Sequence, residues 1–426
     1  MKRIFLILAS LFSFFFVVEI CFAQTGVWIE MKPKNSPPGR AQSGMAEIGE
    51  GKVLLFGGSG VTSYLDDTWI YDYQENNWTQ INNPIHPIGR DHLSMARITK
   101  NKVLLFGGQG DVWPFDDTWI FDLETLKWTE IKPLNKPSAR YKPLLSQLSN
   151  NKVVLVGGVS ISIDLYENDT WVFDFDNLNW EKIPLDFYDT KTPKSEGAAI
   201  AQIDSGKVVF FGGWDCGGLD NTYLFNENTE KWKYLKPKDK PPAIHSSSMA
   251  NIRKNQIVLW GGNPAEGYID SIAYNMNYDQ LWLYNLNDSN WIHVKTPIHP
   301  KGRCYHNIVN LGENRILLFG GGYNDTWVFT LEPNAVLDNQ IADLINQNSF
   351  LIQNNKVHIT TNLIGICNYK LYDIYGKVLK EYSQAGALEQ ESSYIDFDAS
   401  DISNGVYFLV VQGQQKKEII RLMVAR

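Results

Sequence analysis

The 426 residues allow two or three domains, and 14 tryptophans with 13% aromatic residues supply large apolar surfaces for packing. The formal net charge of −8 becomes −9 without Lys2, Arg3 and Glu19, because 37 basic residues then face 46 acidic ones. This acidic balance argues against a nucleic-acid partner, since binding to phosphates requires a basic surface.

The chain opens with the pattern of a secretory signal peptide. Lys2-Arg3 precede an apolar run, Ile4–Val18, and Cys21-Phe22-Ala23 then precede the expected cleavage site. The run is shorter than the roughly 20 residues that a membrane span requires. We therefore predict that residues 1–23 are removed and that the mature protein has no transmembrane segment. A lipoprotein with Cys21 as the modified residue is the alternative, although the two residues before it are not small.

A unit of about 50 residues then recurs along the chain, which indicates a repeat architecture. The segment Lys52–Ile81 returns almost intact as Lys102–Ile131. Each copy carries a Gly-Gly pair, at 57–58, 107–108, 157–158, 212–213, 261–262 and 320–321. An aromatic residue follows each pair, at Trp69, Trp119, Trp171, Tyr223, Trp282 and Trp327. Both series count six copies.

Each copy predicts four short strands, because β-branched and aromatic residues alternate with Gly, Asn, Asp and Pro turns. In the first copy these are a small-residue strand at 41–47, an apolar strand at 53–56, an aromatic strand at 68–73 and a strand that opens on Trp78. An arginine precedes the first strand in four copies, at Arg40, Arg90, Arg140 and Arg303, whereas Ser195 and Ile244 stand there in the other two. Such a sheet cannot bury both faces alone, so the copies must pack around an axis.

Each copy resembles the kelch repeat, over roughly residues 27–330 in all. The shared pattern is an apolar strand, Gly-Gly, a variable loop, Asp/Asn-Asp-Thr-Trp and a second tryptophan nine residues later. That resemblance implies a β-propeller. The sixth copy has Val336 where its second tryptophan is expected, while Trp28 to Pro33 match Trp128 to Pro133. We therefore predict an all-β fold with six blades, the last closed by an N-terminal strand.

Function is expected in the loops that follow Gly-Gly, because loops vary while strands carry packing. These loops share one face of the predicted propeller with the links between blades. Exposed aromatic residues there suit stacking on sugars or a protein contact. We predict an unknown protein or glycan ligand, held by Trp113, Trp214, Tyr268, Tyr274 and Tyr278. The competing interpretation is that the long fifth loop folds over its own blade.

Repeated polar residues favour structural roles. Asp pairs such as Asp66-Asp67 recur in most copies, which indicates turns rather than paired catalytic carboxylates. The four arginines are interpreted mainly as structural, but they stay candidates for holding an anionic group. His92, His245 and His306 fall near the starts of inner strands, out of step with one another, so a shared metal site is disfavoured.

Some kelch propellers are enzymes. Copper-radical galactose oxidases and sialic-acid epimerases resemble this fold, but neither matches this sequence residue by residue, and Cys304-Tyr305-His306 matches the oxidase site in composition only. A carbohydrate-active enzyme that uses the loop face is therefore the alternative to a binding or adhesion module. We predict no catalytic residue, no metal and no cofactor. Cys216, Cys304 and Cys367 form no recognisable disulfide framework.

After residue 332 the repeat ends, and residues 333–347 indicate a linker. From about Ser349, alternating apolar residues predict six or seven strands of a small Ig-like sandwich. Residues 348–426 resemble the C-terminal sorting domain of the type IX (Por) secretion system. The matching motifs are Tyr372, Gly376 and Lys377 in one hairpin and Asn404, Gly405 and Tyr407 near the end. The resemblance implies that the secretion machinery is a partner and that the propeller of residues 24–332 is secreted or held at the cell surface.

Overall fold

The computed structural model describes residues 26–160, 165–184, 193–264, 278–296 and 298–331, together with Ile402 and seven strands of the C-terminal part. Regular secondary structure in these ranges consists of strands. The coordinates divide into two compact units, one with every strand from Gly26 to Leu331 and one with the strands from Ser349 onward. Within the described residues, no helix is long and apolar enough to span a bilayer.

The first unit contains six antiparallel four-stranded sheets, here called blades 1 to 6. The inner strands are Gly44–Gly49, Ser94–Thr99, Leu144–Ser149, Ala199–Asp204, Ser248–Arg253 and His306–Gly312. The second strands are Lys52–Phe56, Lys102–Phe106, Lys152–Val156, Lys207–Phe211, Gln256–Trp260 and Arg315–Gly320. The third strands are Thr68–Asp72, Thr118–Asp122, Thr170–Asp174, Thr222–Asn226, Leu281–Asn285 and Thr326–Leu331. The outer strands are Asn77–Ile81, Lys127–Ile131, Asn179–Lys182, Lys231–Leu235, Asn290–Val294 and Gly26–Glu30.

The N-terminal strand completes blade 6, which confirms the predicted closure. Gly26–Glu30 pairs antiparallel with Thr326–Leu331, and Trp28 lies opposite Phe329. Trp28 is 2% exposed and packs edge-on against Trp260 of blade 5, with ring centroids 5.6 Å apart. The prediction of six blades is also confirmed.

A hydrogen bond crosses most of the seams between blades. In five blades the indole Nε1–H of the outer-strand tryptophan donates to the hydroxyl of the threonine that begins the third strand of the preceding blade. These pairs are Trp78–Thr326, Trp128–Thr68, Trp180–Thr118, Trp232–Thr170 and Trp291–Thr222, at 2.9–3.1 Å. At the seam between blades 5 and 6 the threonine position is Leu281, and the buried Nε1 of Trp28 has no hydrogen-bond partner among the described residues. Among the described residues, the seam between the N-terminal strand and blade 5 is therefore the one without this bond.

The loops after Gly-Gly and the links between blades lie on one face, as the sequence predicted, and we call it the loop face. In four blades a backbone bridge joins the residues just before the inner strand to the loop of the same blade. Ala41 pairs with Ser59, Asp91 with Gln109, Tyr141 with Val159 and Glu196 with Trp214. The residues at the starts of the inner strands are therefore placed around the central channel on that face.

The second unit contains one five-stranded and one two-stranded sheet. Its strands are Ser349–Ile352, Lys356–Thr361, Cys367–Asp373, Val378–Gln384, Ser393–Asp398, Gly405–Gln412 and Lys417–Val424. Ser349–Ile352 pairs parallel with Lys417–Val424, and the remaining pairings are antiparallel. Seven strands agree with the predicted number, and the Ig-like arrangement of the sheets stays a prediction.

Candidate functional site at the channel mouth

The residue two positions after each arginine-series position adopts a left-handed backbone conformation. The six residues are Gln42, His92, Lys142, Gly197, Ser246 and Tyr305, with φ between 49° and 62°. For residues other than glycine this conformation costs about 1–2 kcal/mol each. Because it recurs in every blade it belongs to the architecture, whereas the side chains that it carries differ from blade to blade.

These residues bind one another through their backbones in a circle around the channel. Five of the six N–H groups donate to the carbonyl of the equivalent residue in the preceding blade, at 2.5–3.0 Å. The pairs run from His92 to Gln42, Lys142 to His92, Ser246 to Gly197, Tyr305 to Ser246 and Gln42 to Tyr305. At the junction between Lys142 and Gly197 a salt bridge of 3.0 Å joins the ammonium of Lys142 to Glu196. This circle of hydrogen bonds fixes the backbone that carries the side chains of the channel mouth.

His92 is oriented by a carboxylate and flanked by two tyrosines. Its Nδ1–H donates to Asp91 Oδ1 at 2.8 Å, and its Nε2 has no hydrogen-bond partner among the described residues. The imidazole meets the rings of Tyr141 and Tyr305 edge-on, with centroids 5.9 and 6.0 Å away. A neutral imidazole held this way presents a proton acceptor to the mouth.

Lys142 joins opposite sides of the mouth. Its ammonium lies 5.8 Å from the ring centroid of Tyr141 and 5.9 Å from that of Tyr305, within the range of a cation–π contact. Blades 3 and 6, which carry Lys142 and Tyr305, are opposite in a ring of six. We call Asp91, His92, Tyr141, Lys142, Glu196 and Tyr305 the mouth cluster. It lies over a cavity of about 380 Å³ that the inner strands line.

Trp214 and His245 extend this wall on the side of blades 4 and 5. Their rings meet edge-on with centroids 5.5 Å apart, and the backbone of Trp214 bridges Glu196 and Gly218. Burial lowers the pKa of His245 and the charge of Lys142 lowers it further, while Glu196 opposes them. Trp214, a predicted ligand residue, is half-buried in the wall rather than on a free loop tip.

The four predicted arginines lie inside the blades. Arg40 is 1% exposed, and its guanidinium donates to both carboxylate oxygens of Asp67 at 2.5 and 2.8 Å and to the carbonyl of Gly57 at 3.0 Å. Asp67 also accepts the indole N–H of Trp69 at 2.7 Å. The same arrangement recurs as Arg90–Asp117, Arg140–Asp169 and Arg303–Asp325. With charge and donors satisfied inside the blade, these arginines are not presented to an anion.

Blades 4 and 5 lack both members of this pair. Blade 4 has Ser195 and Asn221 at the two positions, and Ser195 Oγ donates to the carbonyl of Gly212, at 3.2 Å. Blade 5 has Ile244 and Gln280. The cation and the anion are therefore absent together, as expected when each would be an uncompensated buried charge without the other.

The Asp pairs are structural, but not as the turns that we predicted. Their second member accepts hydrogen bonds from arginine and tryptophan, as Asp67 does. The turns are formed instead by the last residue of the third strand. Asp72 Oδ1, for example, accepts the backbone N–H groups of Gln74 and Glu75. Two adjacent acidic residues look alike in the sequence, which did not show that the second of them binds arginine and tryptophan.

Of the predicted loop aromatics, Trp113 is 64% exposed at a loop tip. Tyr278 is half-buried, and its hydroxyl donates to Gln280 Oε1 at 2.6 Å and accepts the indole N–H of Trp282 at 3.1 Å. It thereby takes the place that the aspartate has in other blades, so it belongs to the blade rather than to a free surface. Tyr268 and Tyr274 lie outside the described residues.

The three histidines have separate environments. His306 is 4% exposed in the wedge between blades 5 and 6, where its Nε2–H donates to the carbonyl of Trp260 at 3.1 Å. Burial lowers the pKa of His306 to about 3, and the charge of Arg303 acts in the same direction. Cys216 is exposed and Cys304 is half-buried, and both are free thiols. The described residues contain no cluster of three or more histidine, cysteine or acidic side chains suited to a metal.

Sequence reasoning missed most of the mouth cluster. Its members come from the first and second positions after the arginine series, where the sequence varies and shows no motif. The signal that could have found them is the variation two residues after the arginine position, where the six blades carry Gln, His, Lys, Gly, Ser and Tyr. Variation at a fixed point of an otherwise regular repeat marks a surface that the fold does not constrain.

The predicted sorting residues lie partly on described strands. Tyr372 is in Cys367–Asp373, which pairs with Val378–Gln384 as the predicted hairpin requires. Gly405 begins the strand Gly405–Gln412, on which Tyr407 is 7% exposed. Gly376, Lys377 and Asn404 lie outside the described residues.

Comparison with known proteins assigns both parts of the chain. Residues 15–158 and 145–335 match the family model of the KLHDC2/KLHL20/DRC7 Kelch-repeats domain, and residues 353–425 match the secretion system C-terminal sorting domain. Curated relatives include an acyl-CoA-binding domain-containing protein 5 of Arabidopsis thaliana, 24% identical over 39% of this chain and 25% of that protein. An F-box/kelch-repeat protein of the same plant is 25% identical over 39% of this chain and 37% of its own length. The chain thus spans between a quarter and about two fifths of these relatives, and it belongs to the kelch-repeat family.

Proposed function

We propose that this protein is an exported binding module whose channel mouth binds the terminal sugar of a carbohydrate. The sorting domain points to type IX secretion and to a secreted or cell-surface location. The observation that carries the binding proposal is the mouth cluster, in which phenols, an imidazole, an ammonium and two carboxylates from four blades converge.

The chemistry of the mouth cluster favours a polyhydroxylated, uncharged ligand. Glu196 and the open Nε2 of His92 are acceptors, Lys142 is a donor and the tyrosine hydroxyls serve as both, so a sugar hydroxyl finds a partner whether it donates or accepts. The two carboxylates and one ammonium nearly balance, which disfavours a strongly charged ligand. A cavity of about 380 Å³ falls within the usual range for small-ligand sites.

A glycan array probed with the full chain tests the proposal. Wild-type protein should bind a set of related glycans, and Lys142→Met or Tyr305→Leu should weaken that binding at least tenfold. Lys132→Met, a change at an exposed lysine on the rim side of blade 2, is the matched control and should change nothing. Absence of any glycan binding, or binding that survives both mouth variants, would reject the proposal.

A carbohydrate-active enzyme is the second candidate, and the Asp91–His92 hydrogen bond is the observation that favours it. A carboxylate that orients a histidine whose second nitrogen is open is the arrangement of a general base. Assays of sugar oxidation, epimerisation and mutarotation, together with metal analysis of the purified protein, distinguish the enzyme from a binding module. Turnover lost in His92→Asn would support the enzyme, whereas no turnover of any sugar would exclude it.

The export route is tested separately. Removal of residues 348–426 should leave the protein in the periplasm, and N-terminal sequencing of exported protein should begin at Gln24 if residues 1–23 are the signal peptide. Surface display without residues 348–426 would contradict the sorting role.

A further inference from the structure

Three segments of the loop face lie side by side over blades 1 and 2. They are the loop 60–65 of blade 1, the link 88–90 and the loop 110–113 of blade 2. A Cβ placed on Gly89 would meet the carbonyl of Tyr64 at 2.9 Å, and one placed on Gly110 would lie 3.7 Å from the carbonyl of Gly89. The backbone N–H of Arg90 also donates to the carbonyl of Leu65 at 3.2 Å. These contacts make the three segments one continuous surface.

This surface exposes four large apolar side chains. Val61 is 99% exposed, Ile88 68%, Val112 69% and Trp113 64%. Hydrogen bonds from Gly60 N–H to the Ser63 carbonyl and from Gly110 N–H to the Trp113 carbonyl close both loop tips, which holds the side chains outward. Single exposed apolar residues are ordinary, but a contiguous group of four marks an interaction surface.

Acidic groups without cationic partners border the same surface. Asp111 is next to Val112, and Asp66 shares a cleft with His86, two residues before Ile88. Neither carboxylate forms an ion pair within the described ranges, whereas Asp116 is paired with Lys136 at 2.8 Å. The nearby guanidinium of Arg90 is committed to Asp117 and stacks on Phe115. The electrostatic complement of the surface is therefore cationic.

We propose that Val61, Ile88, Val112 and Trp113, with Asp66 and Asp111, form a docking surface for a protein segment that combines aliphatic or aromatic side chains with lysine or arginine. This surface is separate from the mouth cluster and does not depend on the glycan proposal. A neutral sugar stacked on Trp113 would leave the three aliphatic side chains and both carboxylates without complementary groups. A segment with apolar anchors and flanking cations satisfies all six.

The probe is a phage-displayed library of random twelve-residue peptides, panned on the immobilised full chain. Binders should be rich in aromatic or aliphatic residues together with lysine or arginine. A synthetic peptide made from the leading sequence should lose at least tenfold in affinity on Val61→Ser/Val112→Ser/Trp113→Ser. It should lose several-fold on Asp66→Asn/Asp111→Asn and also in high salt. Leu126→Ser/Leu178→Ser changes two exposed leucines in the turns before the outer strands of blades 2 and 3, outside the six proposed docking residues, and should have no effect.

Three results would overturn the proposal. One is the absence of any enriched peptide, and another is enrichment of acidic peptides or of peptides that bind the triple variant equally well. The third is a wild-type dimer in light scattering that becomes a monomer in the triple variant, because a second copy of the chain would then be the occupant. Glycan binding by Lys142→Met is measured in parallel, so failure at the mouth and failure at this surface give different patterns.

Discussion

Replacement of Arg40 by isoleucine should destabilise the propeller far more than the loss of its hydrogen bonds alone. The change removes the cation but leaves the Asp67 carboxylate inside the blade. Breaking a buried ion pair from one side costs roughly 3–5 kcal/mol. Because the Asp67 side chain keeps 16% of its surface exposed, we expect the lower end, about 3 kcal/mol.

Blade 5 supplies the matched control. Arg40→Ile/Asp67→Gln copies Ile244 and Gln280, which occupy these two positions naturally. With both charges gone, the double variant should lie within about 1 kcal/mol of wild type, since replacing a buried pair by uncharged groups is often nearly neutral. The single variant should therefore be less stable than the double variant, although it carries fewer substitutions.

Equilibrium unfolding in urea, followed by tryptophan fluorescence, measures both effects. At about 3 kcal/mol per molar urea, the single variant should lower the midpoint by about 1 M with an unchanged slope. Equal stability of the single and double variants, or a loss below about 1 kcal/mol in the single variant, would refute the argument that the charge is buried and dependent on its partner.

Acid should reduce the advantage of the wild type. Burial on its own would raise the pKa of Asp67, but the hydrogen bonds and charge of Arg40 outweigh it, and the pKa lies below its usual value. A carboxyl group with a lowered folded-state pKa stabilises the fold above its unfolded pKa of about 3.9, and this contribution is lost as the pH falls through the folded-state pKa. The stability difference between wild type and double variant should therefore shrink below about pH 4.

The remaining predictions concern the seams. Thr118→Val should cost about 1–2 kcal/mol in urea unfolding, because it leaves the buried Nε1 of Trp180 without an acceptor. The Leu281→Thr variant should be about 1 kcal/mol more stable than the Leu281→Val variant, because valine has the shape of threonine but only threonine offers a hydroxyl acceptor to Trp28. Equal stabilities of the two variants would contradict this account. For His306, whose folded-state pKa of about 3 is below the unfolded value of about 6.5, the contribution to stability is present above pH 6.5 and is lost toward pH 3, by at most about 1.4 kcal/mol per pH unit. His306→Leu, which copies Leu93 of blade 2, should flatten that part of the pH profile, and an unchanged profile would show that another group is responsible.

Much of the propeller was predictable because its information is local and repeated. Gly-Gly at the end of the second strand, the aromatic residue of the third and the tryptophan of the outer strand recur six times, so each copy supports the others. Trp28 indicated how blade 6 closes, because the outer strand that the sixth copy lacks has its counterpart near the N-terminus. The sorting domain was recognisable for the same reason, from short motifs at fixed spacing.

The site residues were less predictable because their roles depend on partners far away in the chain. Arg40 and Asp67 are 27 residues apart, and no local pattern showed that their charges meet inside the blade. Tyr278 resembled a free loop aromatic until the structure placed its hydroxyl on Trp282. Of the predicted loop aromatics that the structure describes, only Trp113, at a loop tip, has the exposure that the sequence suggested.

By itself, the sequence determined the number of blades, the strand order within each blade and the closing strand, since hydrophobic periodicity and turn residues specify local structure directly. Tertiary structure alone decided that His92, Lys142 and Tyr305, from three different blades, meet at one mouth, and that Val61 and Trp113 share one surface. The physical reason is ring closure. It brings together equivalent positions that are about 50 to 200 residues apart, and those positions carry no repeated signal because the fold places no packing demand on them.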